Sequence, residues 1–156
     1  MNKKALKLII WYVAAAIAVV CVPLIVYLEK RQALRTAVDM EVLRVGEASK
    51  RAQRAYRHET KPAGINALSD LLMELQKAET MPGYTNLIPN DALVMDIVLT
   101  HFRLAKLYAA EGQTNPSMRH IFEALTCSQG LSDRYGLTNQ TRWLEFVDRI
   151  DRTAHE

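Results

Sequence analysis

His120, Glu123 and Cys127 stand at i, i+3 and i+7, a spacing that lays an imidazole, a carboxylate and a thiol along one side of a helix. His101 sits on the segment before them. These side-chain types bind transition metals, and a cysteine beside a histidine is also the minimum for a thiol nucleophile. Neither chemistry is complete in the sequence. No paired cysteines and no His-Glu-x-x-His arrangement accompany the set, and no segment supplies an identifiable oxyanion site. The expectation is a solvated polar face with a partly buried Cys127, and no catalytic, metal or cofactor site. His58 and His155 fall in ends expected to be exposed. Asp148 and Asp151 lie beside Arg149 and Arg152, which reads as a surface charge pattern and not as an acid–base dyad. The six glycines are scattered as stops and turns, so there is no phosphate-binding loop. The chain reads as non-enzymatic.

The elements that must position these residues read as helices, and no segment alternates as a strand, so the expected class is all-α. Residues 29–57 have no proline and one glycine, Gly46, with Leu34, Val38, Val42, Val45, Ala52 and Tyr56 as the apolar positions. Lys61-Pro62 and Gly64 interrupt this segment. A second helix follows with Ile65, Leu68, Leu71, Leu72 and Leu75 on one face, and Met81-Pro82-Gly83 ends it. Residues 84–89 read as loop, and Asn90 is the expected N-cap of a third helix carrying Val94, Ile97, Val98, Leu104, Ala105 and Tyr108. Gly112 should stop it. Asn115-Pro116 is the expected start of a fourth helix with Ile121, Phe122, Ala124 and Leu125, closed by Gly130. A loop through Asp133 and Gly136 leads to a last helix from about Thr138, with Trp143, Leu144, Phe146, Val147 and Ile150 inward.

Ahead of all this, residues 8–28, beginning at Leu8 and ending at Leu28, form 21 consecutive uncharged, mainly apolar residues. At 1.5 Å per residue such a helix crosses a hydrocarbon core roughly 30 Å thick. The expected organisation is a basic tail at 1–7, a transmembrane helix at 8–28, a juxtamembrane stalk helix at 29–61 and a helical domain at 62–156. The run exceeds the usual h-region of a signal peptide, and cleavage after Ala16 would leave an apolar mature start. Val20 before Cys21 disfavours a lipoprotein signal. Trp11, Tyr12 and Tyr27 sit where ring side chains prefer the headgroup region. Lys3, Lys4 and Lys7 on one side nearly balance Lys30, Arg31, Arg35 and Arg44 on the other. A short basic tail directly before the span favours export of the C-terminal domain, a bacterial inner-membrane protein facing the periplasm; the cytoplasmic orientation stays open.

Charge sets the expected partners. Residues 29–61 carry nine basic and five acidic side chains, and residues 62–156 carry eight basic and twelve acidic ones. The basic stretch adjoins the candidate span, which favours anionic lipid, and no basic patch with interleaved aromatics supports nucleic acid. Cys21 and Cys127 are the only cysteines, one inside the span and one outside, so no intrachain disulfide is expected. Ala14, Ala18 and Cys21 make a small-residue stripe at i, i+4 and i+7, suited to packing against another transmembrane helix in an assembly or a homo-oligomer.

The third and fourth helices resemble one tetratricopeptide-type helical hairpin over about 30 residues. Leu104, Ala105 and Tyr108 stand where that family places its Leu, small residue and aromatic, and Ser117, Ile121 and Ala124 where it places small, bulky and small residues. His101 takes the position of the family's Trp, and no regular 34-residue period extends the match. An irregular helical bundle without repeat ancestry stays open. The resemblance implies a protein-binding scaffold. Arg103, Leu107, Arg119 and His120 are its candidate partner contacts, the partners being other membrane or envelope proteins. The expected function is that of an accessory or assembly subunit of a bacterial membrane complex of secretion, conjugation or respiratory type. Alternatives are a single-anchor immunity or exclusion protein and a membrane-tethered metalloprotein or hydrolase.

Overall fold

The computed structural model describes the backbone of residues 3–153 and the side chains of residues 19 and 21–153. Every regular element among them is helical: α1 (Lys3–His58), α2 (Lys61–Thr80), a 3-10 turn (Tyr84–Asn86), α3 (Asn90–Ala110), α4 (Thr114–Cys127), α5 (Gln129–Tyr135) and α6 (Gln140–Thr153). The chain is all-α, as its periodicity predicts, and it divides into two compact units, residues 1–37 and 38–156.

In the first unit each described side chain, residue 19 and residues 21–37, is exposed. No helix among the described residues is long and apolar enough to cross a membrane. The expected span at 8–28 lies for the most part outside the residues whose side chains are described, and Ala14 and Ala18 of its small-residue stripe lie there too. Cys21 is an exposed free thiol.

The second unit begins at Val38, well before the domain boundary expected at residue 62. The last part of α1 is therefore core and not stalk. Val38, Ala48 and Ala52 are buried in one cluster with Leu68, Leu72 and Leu75 of α2 and Leu93, Ile97 and Leu104 of α3. Small side chains make this possible. Ala48, Ala52 and Ala55 recur at helical spacing and are almost fully covered, so another helix can approach closely. Gly64 of α2 sits so near that a Cβ there would lie 3.5 Å from the Tyr56 Cα. Glu41, 2% exposed, adds a polar tie by accepting a 2.6 Å hydrogen bond from Lys77 Nζ.

A second core lies on the other side of α3. Val98, Phe102 and Ala105 meet Ile121 and Ala124 of α4, Leu131 of α5, and Trp143 and Val147 of α6. Trp143 is wholly buried and stacks on Phe102 at 5.8 Å between ring centroids. Truncating such a ring costs about 3–5 kcal/mol, so this contact anchors α6. The expected inward face of α6 holds, with Leu144, Phe146 and Ile150 partly buried beside Trp143.

Helix ends depart from expectation by local chemistry. Asn90 is the first residue of α3 and not its cap; Pro89 precedes it. α4 begins at Thr114, leaving Pro116 in the first turn where a missing N–H has no carbonyl partner to lose. Gly130 lies inside α5 and does not close α4. Gly112 acts as the expected stop, at φ 73°, whereas the expected loop through Asp133 is largely the helix α5, which Gly136 ends at φ 64°. Asn139 supplies the cap of α6, its Oδ1 accepting the Arg142 N–H at 3.0 Å.

Candidate functional site

The α3 and α4 helices form an antiparallel hairpin. Ser117 Oγ donates to the Ala105 carbonyl at 2.9 Å, and three residues further along α4 His120 meets His101, four residues earlier in α3. Small, covered Ala105, Ser117 and Ala124 allow the close approach that brings these rings together. The two imidazoles face each other through Nδ1, 2.9 Å apart, one donating its N–H to the lone pair of the other. Glu123, one turn after His120, directs Oε2 to within 3.5 Å of His101 Nδ1. One donor atom from each of the three residues lies within 4.8 Å of the other two.

This cluster is not the solvated face expected from the sequence. His101 is 1% exposed and His120 is half-buried, its ring stacked 5.5 Å from that of Tyr108. Burial, and next the neighbouring His120, push the His101 pKa down to about 4, although Glu123 pulls the other way. Burial lowers His120 as well. Both rings are therefore neutral at pH 7, each with one lone-pair nitrogen: the acceptor ring's is the Nδ1 in the shared hydrogen bond and the donor ring's is its Nε2. Burial works to raise the Glu123 pKa, yet the hydrogen bond from Arg119 and the nearby histidines hold it below the usual carboxylate value. Arg119 Nε occupies only the Oε1 side, at 2.9 Å. Cys127 is exposed and falls outside the set, and burial followed by Glu79 and Glu123 raises its thiol pKa, which disfavours a thiolate. Three of the four residues singled out in the sequence, His101, His120 and Glu123, thus come together across two helices, and Cys127 does not join them.

His120 and Glu123 open into a groove of about 580 Å³ also lined by Leu72, Gln76, Tyr108, Asn115, Pro116 and Arg119. Of the four expected partner contacts, Arg119 and His120 belong to this groove. Leu107 instead packs on the first core, with its Cδ1 3.0 Å from where a Cβ on Gly64 would be. Arg103 is spent on a different polar cluster.

That cluster centres on Asp151. Arg103 donates to its Oδ1 through Nε at 3.0 Å and Nη2 at 2.8 Å, Tyr56 Oη donates to Oδ2 at 2.9 Å, and Lys106 bridges Asp148 and Asp151. Asp151 is only 15% exposed and joins α1, α3 and α6, so it is no surface charge pattern. Sequence reasoning missed it because its partner Tyr56 lies 95 residues away. Both oxygens of Asp151 have donors, which makes it the centre of a structural clamp.

No protein-family profile, curated protein or solved structure matches this chain. Its chemistry has to be read from its own residues.

Proposed function

We propose that the chain is a membrane-anchored protein-interaction protein, an accessory or assembly subunit of a larger bacterial membrane complex, with its helical domain on the periplasmic side. The observation that carries this reading is the apolar surface at the start of the chain. Residues 21–28 are uncharged, consecutive and all exposed around the helix, continuing the apolar run that starts at Leu8. A helix exposed to water keeps a polar face, and one apolar on every side belongs in lipid or inside an assembly. The hairpin of α3 and α4, with the small and bulky residues that resemble a tetratricopeptide unit, supplies a scaffold with an open groove. Tethering would raise the effective concentration of that groove for partners in the same membrane.

Crosslinking in native membranes followed by mild solubilisation and affinity recovery of the full-length protein tests this. Expected is stoichiometric recovery of one set of membrane proteins, with the chain resisting alkaline extraction. Release of the chain into the alkaline supernatant, or recovery of the chain alone, would sink the proposal. Orientation follows from the exposed Cys127, which a membrane-impermeant maleimide should label in intact spheroplasts if the domain is periplasmic.

A further inference from the structure

We propose that His101, His120 and Glu123 form a zinc-binding site of two imidazoles and one carboxylate at the inner end of the groove between α3 and α4. The inference stands apart from the membrane reading, because all three residues and the groove lie within the second unit.

The donor set comes first. Two neutral histidines and one carboxylate are a recurrent three-ligand set for zinc, and imidazole suits borderline metals better than hard calcium or magnesium. The spacing agrees as well. At zinc–ligand bonds of about 2.0–2.1 Å, tetrahedral neighbours sit roughly 3.3 Å apart. The Nδ1 to Nδ1 separation of 2.9 Å and the Nδ1 to Oε2 separation of 3.5 Å bracket that value. Small rotations of the rings would seat the ion where the shared proton now lies. Both rings then carry their proton on Nε2 and direct the Nδ1 lone pair to the metal, so no net proton is released.

The surroundings hold the ligands in place. His101 is fixed by full burial on α3, and His120 is fixed by stacking on Tyr108. Arg119 orients Glu123 through Oε1 and leaves Oε2 toward the histidines. Its own side chain is 78% exposed, so the guanidinium can turn to solvent when a cation enters. A purely structural role explains the trio poorly. A buried and a half-buried imidazole pressed together at Nδ1 gain one neutral hydrogen bond, worth only about 1 kcal/mol net, for covering most of two polar rings. With three protein ligands, the remaining coordination position faces the groove, where water or a small anionic ligand can reach it.

Full-length protein in mild detergent, stripped with a chelator, is titrated with Zn²⁺ alone by calorimetry and with Co²⁺ by visible absorption. The expected result is one ion per chain with a Kd tighter than about 10 µM, and Co²⁺ bands of a four-coordinate nitrogen and oxygen site. His120→Ala and Glu123→Gln should each weaken binding by at least about 100-fold, more than loss of a supporting residue does. Cys127→Ser and His58→Ala should leave it unchanged. Should His120→Ala lose its fold by circular dichroism, Glu123→Gln decides, because Glu123 is 34% exposed and its replacement leaves the core intact. Weaker wild-type binding, binding that survives in Glu123→Gln, or binding abolished by Cys127→Ser overturns the site.

Discussion

Helix α3 carries two polar clusters on roughly opposite faces, and they are built to opposite ends. Arg103 and Lys106 face Asp148 and Asp151 of α6, where each charge is met by its opposite and the Tyr56 hydroxyl completes the set. His101 faces His120 and Glu123 of α4, where two neutral rings share one hydrogen bond and a carboxylate oxygen stands 3.5 Å off. With both of its oxygens engaged, Asp151 has little left to offer a ligand, and its value is in joining helices. A cluster with lone pairs to spare, open to a groove, has capacity for a cation. Both look alike in sequence, as charged and imidazole residues at helical spacings.

The sharpest way to break the comparison is to remove the centre of the clamp. Asp151→Ala leaves Arg103, 14% exposed, without its anion, and a partly buried charge stripped of its partner costs about 3 kcal/mol. Urea unfolding of the full-length protein followed by the near-ultraviolet dichroism of its aromatic rings measures this. A loss below about 0.5 kcal/mol would place the cluster among ordinary surface pairs.

Acid should act next, and through the other cluster. The folded His101 has a pKa of about 4 against an unfolded value of 6.5. Between these values the unfolded chain holds a proton that the folded ring refuses, so stability falls as pH falls through that window. From pH 7 to pH 5 the loss from this ring in metal-free protein is about 2 kcal/mol, and His120, shifted the same way, adds to it. His101→Gln should flatten the profile; an unchanged slope would show that the ring is not the group that resists protonation.

The smallest effect belongs to Glu123→Gln. Its ion pair with Arg119 is solvent-exposed, so metal-free stability should change by less than about 0.5 kcal/mol. A carboxylate that matters little to folding and much to zinc binding would separate this cluster from the Asp151 clamp. Equal effects on folding from Asp151→Ala and Glu123→Gln would erase the distinction.

Much of the helical fold was legible locally. Leu68, Leu72 and Leu75, or Trp143 and Val147, recur at helical spacing and are buried accordingly, and Gly112 ends α3 where its positive φ is needed, whereas the short α5 before Gly136 reads as loop. The end of α1 was harder to read. Its contact face is made of Ala48, Ala52 and Ala55, whose small side chains give a weak hydropathy signal yet let α2 approach closely. For the same reason the domain begins at Val38 and not at residue 62.

The candidate site divides along the same line. His120 and Glu123 share a helix face by their three-residue spacing alone, and helical periodicity is a property of the local backbone. That Cys127 falls outside the set, that His101 arrives 2.9 Å from His120, and that Asp151 closes on Tyr56 and Arg103 depends on how α3 sits against α4 and α6. Such contacts are decided by side-chain volumes filling two cores at once, and no single stretch of sequence contains that information.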